Sequence, residues 1–374
     1  MERKRVLLVS ASPSLPRRTL ARGLSVHPVG IGGWALGGPD TNLGLPMGWS
    51  TADDTASRHG LEAAHELGAN LIDTADVYGH GHSERVIGDF VTTINRDTVV
   101  LSSKVGYHRG TARHAYLPSA MRRQLETTLE NLRTDHLDIY FFHNADFGQD
   151  DRYLEAAVAQ MRDFQRQGLV TAVGMRGPHR YATERVTVAK QARGDKYARF
   201  AHLAEIIRPD YLAARFNALT PQPAAGRPDV FALAASYGAS VLINKPLAQG
   251  LLTGKYDPHH PPLFGAGDHR LRKAWFTPDA LKIIHSGLDP LRERFGDTPA
   301  ALTRVALQYC LQQTDNAAVL VGFTRPEQVT ANLTAIGTPL TDDELGFVRE
   351  TLGRLQRTLD AHSEVFLDEK GTGQ

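Results

Sequence analysis

Leu71-Ile72-Asp73-Thr74-Ala75-Asp76-Val77-Tyr78-Gly79 is the stretch whose reading decides the fold. An apolar pair ends in an acid, and the chain then breaks into small and polar residues. A tyrosine follows the acid by five positions. The stretch reads as a buried strand that delivers Asp73 to its C-terminal end, with Tyr78 on the loop just beyond. Short, continuous apolar runs of this kind suit a parallel sheet covered on both faces.

The same unit recurs on either side: a helix-period segment, a turn and a short apolar strand. Helix 51–67 stops at Gly68, a C-cap residue, and precedes strand 70–73. Further helices are expected at 83–92, 118–132, 151–167, within 179–207, and at 228–237, 278–295, 299–313 and 326–335. The strands between them are expected at 98–102, 137–142, 169–174, 211–215, 239–243 and 317–321. A first strand ends in the glycine-rich run Gly30 to Gly38, and Arg18 to Val29 reads as a hairpin around Gly23. About eight alternations predict an α/β chain folded as a (β/α)8 TIM barrel. An open doubly wound sheet stays as the alternative, because periodicity does not reveal closure. The expected organisation is a loose extension at 1–16, a barrel at 17–340, and a C-terminal helix and tail at 341–374 packed on the barrel.

Composition excludes several classes. The 374 residues are 41% hydrophobic, enough for a sizeable core, and the formal charge is +1. That balance calls for no nucleic-acid or acidic-membrane partner. A single cysteine, Cys310, excludes a disulfide within the chain and fits a reducing compartment. The basic start is followed by too short an apolar run before Pro13 for a signal peptide, and no run approaches the roughly 18 apolar residues of a membrane span. The expectation is a cytoplasmic protein acting on a small molecule, with homo-oligomerisation left open.

In such barrels the active site lies at the C-terminal ends of the strands. Asp73 ends the second strand, Ser103-Lys104 the third and His143-Asn144 the fourth. A carboxylate, a phenol, an ammonium and an imidazole therefore converge on one mouth. A free tyrosine titrates near ~10, too high for an efficient acid near neutrality, and a neighbouring cation lowers that value. Lys104 is placed to be the cation, with Asp73 holding it. His143 can donate to a substrate carbonyl while Tyr78 protonates its oxygen. Singly, each residue has a plainer reading: a strand-end lysine is usually a surface ion pair, and Asp73 could cap a loop. Together they are the parts of a carbonyl reductase.

At these residues the sequence resembles the aldo-keto reductase family, in its bacterial type with a long loop after the seventh strand. The resemblance spans about residues 18–350. It rests on Ile72 to Glu84, Leu101-Ser-Ser-Lys104, His136 to His143, Lys245 to Tyr256 and Val321 to Asn332. It implies a catalytic tetrad of Asp73, Tyr78, Lys104 and His143, and a nicotinamide cofactor, usually NADP(H), bound without a Rossmann domain. The absence of a G-x-G-x-x-G strand–turn–helix agrees. The resemblance puts Lys245, Pro246, Leu247, Gln249, Gly250 and Lys255 along the pyrophosphate. Gly322, Thr324, Arg325, Gln328 and Asn332 fall at the last barrel helix, whose N-terminus suits a phosphate, with Arg325 toward an adenosine 2′-phosphate. Trp34, Asn144, Arg176 and Arg270 complete the expected cofactor set. Trp34, Trp49, Tyr107, His143 and Phe147 are the expected substrate walls. Trp275 and Phe276 lie in the long loop, as lid or packing.

The sequence also departs from the family's pattern. Gly174-Met175-Arg176-Gly177 stands where the family has Gly-Val-Ser-Asn, Ala213 where it has a glutamine, and Asn244 where many members stack an aromatic. Arg176, His179 and Arg180 give the mouth a basic edge, read either as a site for an anionic or sugar-nucleotide substrate or as a solvated charge cluster. His259, His260 and His269 lack the partners of a metal site, and no metal is expected. The leading reading is NADPH-dependent reduction of an aldehyde or ketone, of sugar-like or secondary-metabolite type. Its rivals are a cofactor-binding regulatory subunit on the same barrel and a lyase or epimerase that uses the same tetrad.

Overall fold

The computed structural model describes residues 15–42, 44–177, 196–220 and 228–362. Eight parallel strands form a closed barrel: β1 (Val29–Gly32), β2 (Leu71–Asp73), β3 (Val100–Val105), β4 (Leu137–Phe142), β5 (Val170–Arg176), β6 (Tyr211–Arg215), β7 (Ser240–Asn244) and β8 (Ala317–Val321). They pair in chain order, and Val319 opposite Val29 closes the ring. The helices are α1 (Asp54–Glu66), α2 (His82–Val91), α3 (Pro118–Leu132), α4 (Leu154–Arg166), α5 (Lys196–Ile207), α6 (Val230–Ser236), α7 (Pro278–Gly287), α8 (Asp289–Phe295), α9 (Pro299–Leu311), α10 (Pro326–Thr334) and α11 (Asp342–Ala361).

Strand alternation sorts the side chains. Leu71, Val100, Ile139, Phe141, Ala172, Tyr211, Ala213, Leu242 and Leu320 fill the barrel interior. Ile72, Leu101, Tyr140, Phe142, Val173, Leu212, Val241 and Val319 pack outward with the helices. The period of two then puts Asp73, Lys104, His143, Arg176, Arg215 and Asn244 on the inner face, at the strands' C-terminal ends. Interior packing alternates large against small: a Cβ on Gly174 would lie 2.3 Å from the Phe141 ring.

The expected hairpin is present, Arg18–Thr19 against Ser25–Val26, and it plugs the opposite end of the barrel. Leu20 and Val26 join the interior cluster. The Tyr211 hydroxyl donates to the Ala21 carbonyl at 2.7 Å, and the Ala21 N–H donates to Ser240 Oγ at 2.8 Å. With the hairpin at that end, the cavity described below lies at the other, where the strands end.

Most boundaries lie within a few residues of expectation, and three differ for physical reasons. Strand 98–102 runs instead from Val100 to Val105, which carries Lys104 inside the sheet. The single helix expected at 278–295 is two, because Pro290 lacks an N–H and starts α8 afresh. The helix expected from 151 starts at Leu154, after a 3-10 turn at Gln149–Asp151. In the 179–207 segment, α5 begins at Lys196; His179 and Arg180 lie outside the described residues, as do 1–14 of the extension and 363–374 of the tail. α11 packs on α7 and α8. Among the described residues no helix is long and apolar enough to cross a membrane.

Candidate active site

Tyr78 is aimed by a close backbone contact. Gly79 has φ +60, and a Cβ there would lie 2.1 Å from the Gly37 carbonyl oxygen. A Cβ on Gly37 would in turn meet the Tyr78 carbonyl carbon at 2.7 Å, so neither position accepts a side chain. The Ser83 hydroxyl donates to the Gly33 carbonyl at 2.7 Å and meets Thr74 Oγ1 at 2.8 Å. The loop after β2 is thereby fixed to the loop after β1, with the phenol facing the mouth.

Lys104 is buried in the barrel's upper layer. Its ammonium donates to Asp73 Oδ2 at 2.7 Å and to the Thr74 carbonyl. Ser102 Oγ donates to the other Asp73 oxygen at 2.8 Å. Burial alone would lower the Lys104 pKa, but Asp73 and then Tyr78 outweigh it and hold the value above the ordinary one, so the ammonium stays charged. It lies 5.1 Å from the Tyr78 ring centroid.

Lys104 does lower the Tyr78 pKa, as the sequence led us to expect, but the net shift is upward. Burial of the phenol raises its pKa, Lys104 opposes this, and burial wins. Tyr78 is therefore a protonated phenol through neutrality, suited to giving a proton rather than taking one. The His143 ring lies 5.9 Å from that of Tyr78 and 4.8 Å from that of Tyr107. Burial, then the charges of Lys104 and Arg176, push its pKa well below the ordinary value. A neutral imidazole carries one donor nitrogen and can hold a carbonyl oxygen beside Tyr78.

These groups line a cavity of about 910 Å³, at the upper end for a ligand site. Of the expected walls, Trp34 stacks on Tyr78 at 6.0 Å and anchors its Nε1 on the Met47 carbonyl at 2.9 Å. Trp49 meets Trp34 edge-on at 6.2 Å, and Tyr107 stands at the rim. Phe147 is not a wall. It is 1% exposed and stacks on Tyr116 at 4.5 Å, in the outer core. Asn144 does not line the cavity either: its amide donates to the Gly106 carbonyl at 2.7 Å and accepts from the Asp146 N–H at 3.0 Å, which stabilises the loop.

The expected cofactor residues after β7 and β8 do come together along one side of the cavity. Pro246, Leu247, Gly250, Gly322, Thr324 and Asn332 line it with Lys245 and Gln249. Lys245, Ala248 and Gln249 take φ of +58, +47 and +60 without being glycines. Such strain concentrates where a loop is shaped for a ligand. Lys255 is mostly buried; burial, then the charges of Arg270 and Arg325, lower its pKa. Neither Lys255 nor Arg325 has an ion-pair partner among the described residues, and both line the cavity. Gln328 Oε1 accepts from the Thr324 N–H at 2.8 Å and orders the start of α10. Arg270 lines the cavity as well, but its charge is engaged within the protein. It pairs with the buried Asp268 at 2.6 Å and lies 4.1 Å from both the Trp49 and Phe264 rings, so its charge is already met and it staples the long loop. Trp275, at 2% exposure, is packing.

Sequence reading missed several lining residues, among them Arg215, Arg272, Lys273 and Thr303. Arg215 was legible, since it shares the inner face with Ala213 two residues earlier. It also missed the acids behind Lys104. Glu84 is fully buried and accepts from Ser103, Thr128 and Asn131 at 2.7, 2.9 and 3.0 Å. Asp76 is 1% exposed, and neither carboxyl oxygen has a hydrogen-bond partner among the described residues. Burial, with the charge of Glu84 adding, holds its pKa well above the ordinary value. A raised acid favours the fold below its unfolded pKa, and that contribution is lost as pH rises through the folded value. Asp76→Asn, neutral throughout, should therefore gain on wild type between about pH 5 and pH 8, opening a melting-temperature gap of about 3 °C or more. Parallel melting curves across that range would contradict it.

A family model described as the Aldo/keto reductase family matches residues 28–352. The chain belongs to the aldo/keto reductase family. It is thus an oxidoreductase-family protein of carbonyl chemistry with a nicotinamide cofactor. Among its relatives is the NADH-specific methylglyoxal reductase of Escherichia coli, 28% identical over 89% of this chain and 97% of that protein. Another is the aryl-alcohol dehydrogenase [NADP(+)] of Phanerodontia chrysosporium, 23% identical over 88% and 83%. A solved glycerol dehydrogenase from Gluconobacter oxydans shares the family fold, with a TM-score of 0.68 at 23% identity over 92% and 96% of the two chains.

Proposed function

We propose that the protein is an NADPH-dependent reductase of aldehydes or ketones, with Tyr78 as proton donor. The observation that carries the reading is the cluster of Asp73, Lys104, Tyr78 and His143 on the cavity floor, with Lys104 held 2.7 Å from Asp73. A nicotinamide cofactor, held by the residues after β7 and β8, would supply the hydride. His143 and the Tyr78 hydroxyl orient the substrate carbonyl oxygen, and Tyr78 gives its proton to that oxygen. Lys104, kept charged by Asp73, stabilises the phenolate left behind. Trp34 stacks on Tyr78 and helps to hold its ring.

The preference for NADP(H) over NAD(H) is supported by Lys255 and Arg325, two neighbouring cations without an ion-pair partner among the described residues, at the start of α10. The relatives' names point both ways, one to NADH and one to NADP(+). Arg325→Leu should raise the KM for NADPH by about tenfold and leave that for NADH within about twofold. Equal effects on the two cofactors would remove the basis for the preference. The reading as a whole is tested by NADPH oxidation with a panel of carbonyl compounds, which Tyr78→Phe should abolish.

A further inference from the structure

The cavity's charge is one-sided. Asp73 is the only carboxylate that lines it among the described residues, and Lys104 already meets that charge. Arg176, Arg215, Lys245, Arg272 and Lys273 line the same space. Arg176 is the informative member. It ends β5 on the inner face, half-buried, and among the described residues its guanidinium makes no hydrogen bond or ion pair.

The register fixes where that guanidinium stands. Phe141 pairs with Gly174 and Phe142 with Met175, so His143 and Arg176 are the next residues at the same level on neighbouring strands. Adjacent strands lie about 4.8 Å apart. The Arg176 charge also acts on both Tyr78 and His143, lowering the pKa of each, which agrees with a position beside the reacting oxygen. A guanidinium matches a carboxylate with two parallel hydrogen bonds. It matches a nicotinamide carboxamide poorly, because it offers donors only and leaves the amide's own donors unmet.

We infer that Arg176 binds a carboxylate of the substrate, and that the substrates are short oxo acids with the carboxylate on, or one carbon from, the reacting carbonyl. Arg176 then belongs to the substrate side of the site and not to the cofactor. This rests on the carbonyl-reductase reading and narrows it. The oxo carbon gains the hydride, its oxygen gains the Tyr78 proton, and the products are the hydroxy acid and oxidised cofactor. With the carboxylate held by Arg176, the carbonyl oxygen falls between His143 and Tyr78.

The experiment compares pyruvate with methyl pyruvate and acetoacetate with methyl acetoacetate, using wild type, Arg176→Met and Arg176→Lys with NADPH. Wild type should show a kcat/KM at least about tenfold higher for each acid than for its ester. Arg176→Met should lower kcat/KM for the acids by about 100-fold, mainly through KM, and that for the esters far less, so that the preference for acid over ester is lost. Arg176→Lys should restore part of the loss. A second readout needs no turnover: oxamate, a pyruvate isostere, should perturb the fluorescence of enzyme-bound NADPH in wild type and not in Arg176→Met. Esters reduced as well as acids, or acids and esters weakened equally in Arg176→Met, would overturn the inference and leave the reductase reading standing. No reduction of either class, with no oxamate effect, would overturn the inference alone; failure across the wider carbonyl panel is what would overturn the reductase reading.

Discussion

Tyr78→Phe should lower kcat for carbonyl reduction by about 10³-fold or more while changing the Kd for NADPH by less than about threefold. The substitution removes one oxygen and keeps the ring that stacks on Trp34 at 6.0 Å. The ion pair of Lys104 with Asp73 is untouched, so the site keeps its shape and charge. What is lost is the proton. His143 cannot readily replace it, because burial and the nearby cations keep its imidazole neutral. The same electrostatics set the wild-type pH profile. Burial raises the Tyr78 pKa more than Lys104 lowers it, so the donor form persists through neutrality. Reduction should then show no inflection near ~6.5, where a free histidine titrates, and should fall only above ~10. Turnover retained in Tyr78→Phe would assign the acid elsewhere.

The second large effect concerns stability. Asp73→Leu leaves Lys104 charged at 4% side-chain exposure with no counter-ion, at a cost of about 3–5 kcal/mol. Asp73→Leu combined with Lys104→Met replaces the ion pair by apolar groups and should recover most of that loss. Activity should recover in neither variant, since the double variant has no cation to stabilise the Tyr78 phenolate. Urea unfolding gives the stabilities, and NADPH oxidation the activities. A double variant no more stable than the single one would mean that the site's architecture, not the unpaired ammonium, sets the cost.

The barrel was legible because its signals are local. Each strand is read from a short continuous apolar run, and each strand end from the break that follows it. The convergence of Asp73, Lys104 and His143 on one mouth was legible for the same reason: each stands at the end of an apolar run. Features that depend on distant partners were not legible. Phe147 follows His143 by four residues, but its direction is set by packing on Tyr116, far back in the chain. Asn144 was expected in the cofactor set, yet its amide is held by the Gly106 carbonyl, 38 residues back in the chain. The sign of the Tyr78 shift required weighing burial against a charge, and burial is a property of the closed barrel. Arg270 is the exception, since Asp268, the acid that meets its charge, lies two residues away and could have been read from sequence.

The proposed chemistry is tested most directly by following label from NADPH deuterated at both C4 positions into the product of a reduced oxo acid. The account predicts one deuterium on the new carbinol carbon, none on the oxygen-bound position after exchange into water, and one equivalent of NADPH oxidised per product formed. An altered substrate without deuterium and without NADPH consumption would contradict it, as would tight NADPH binding with no transfer to any carbonyl.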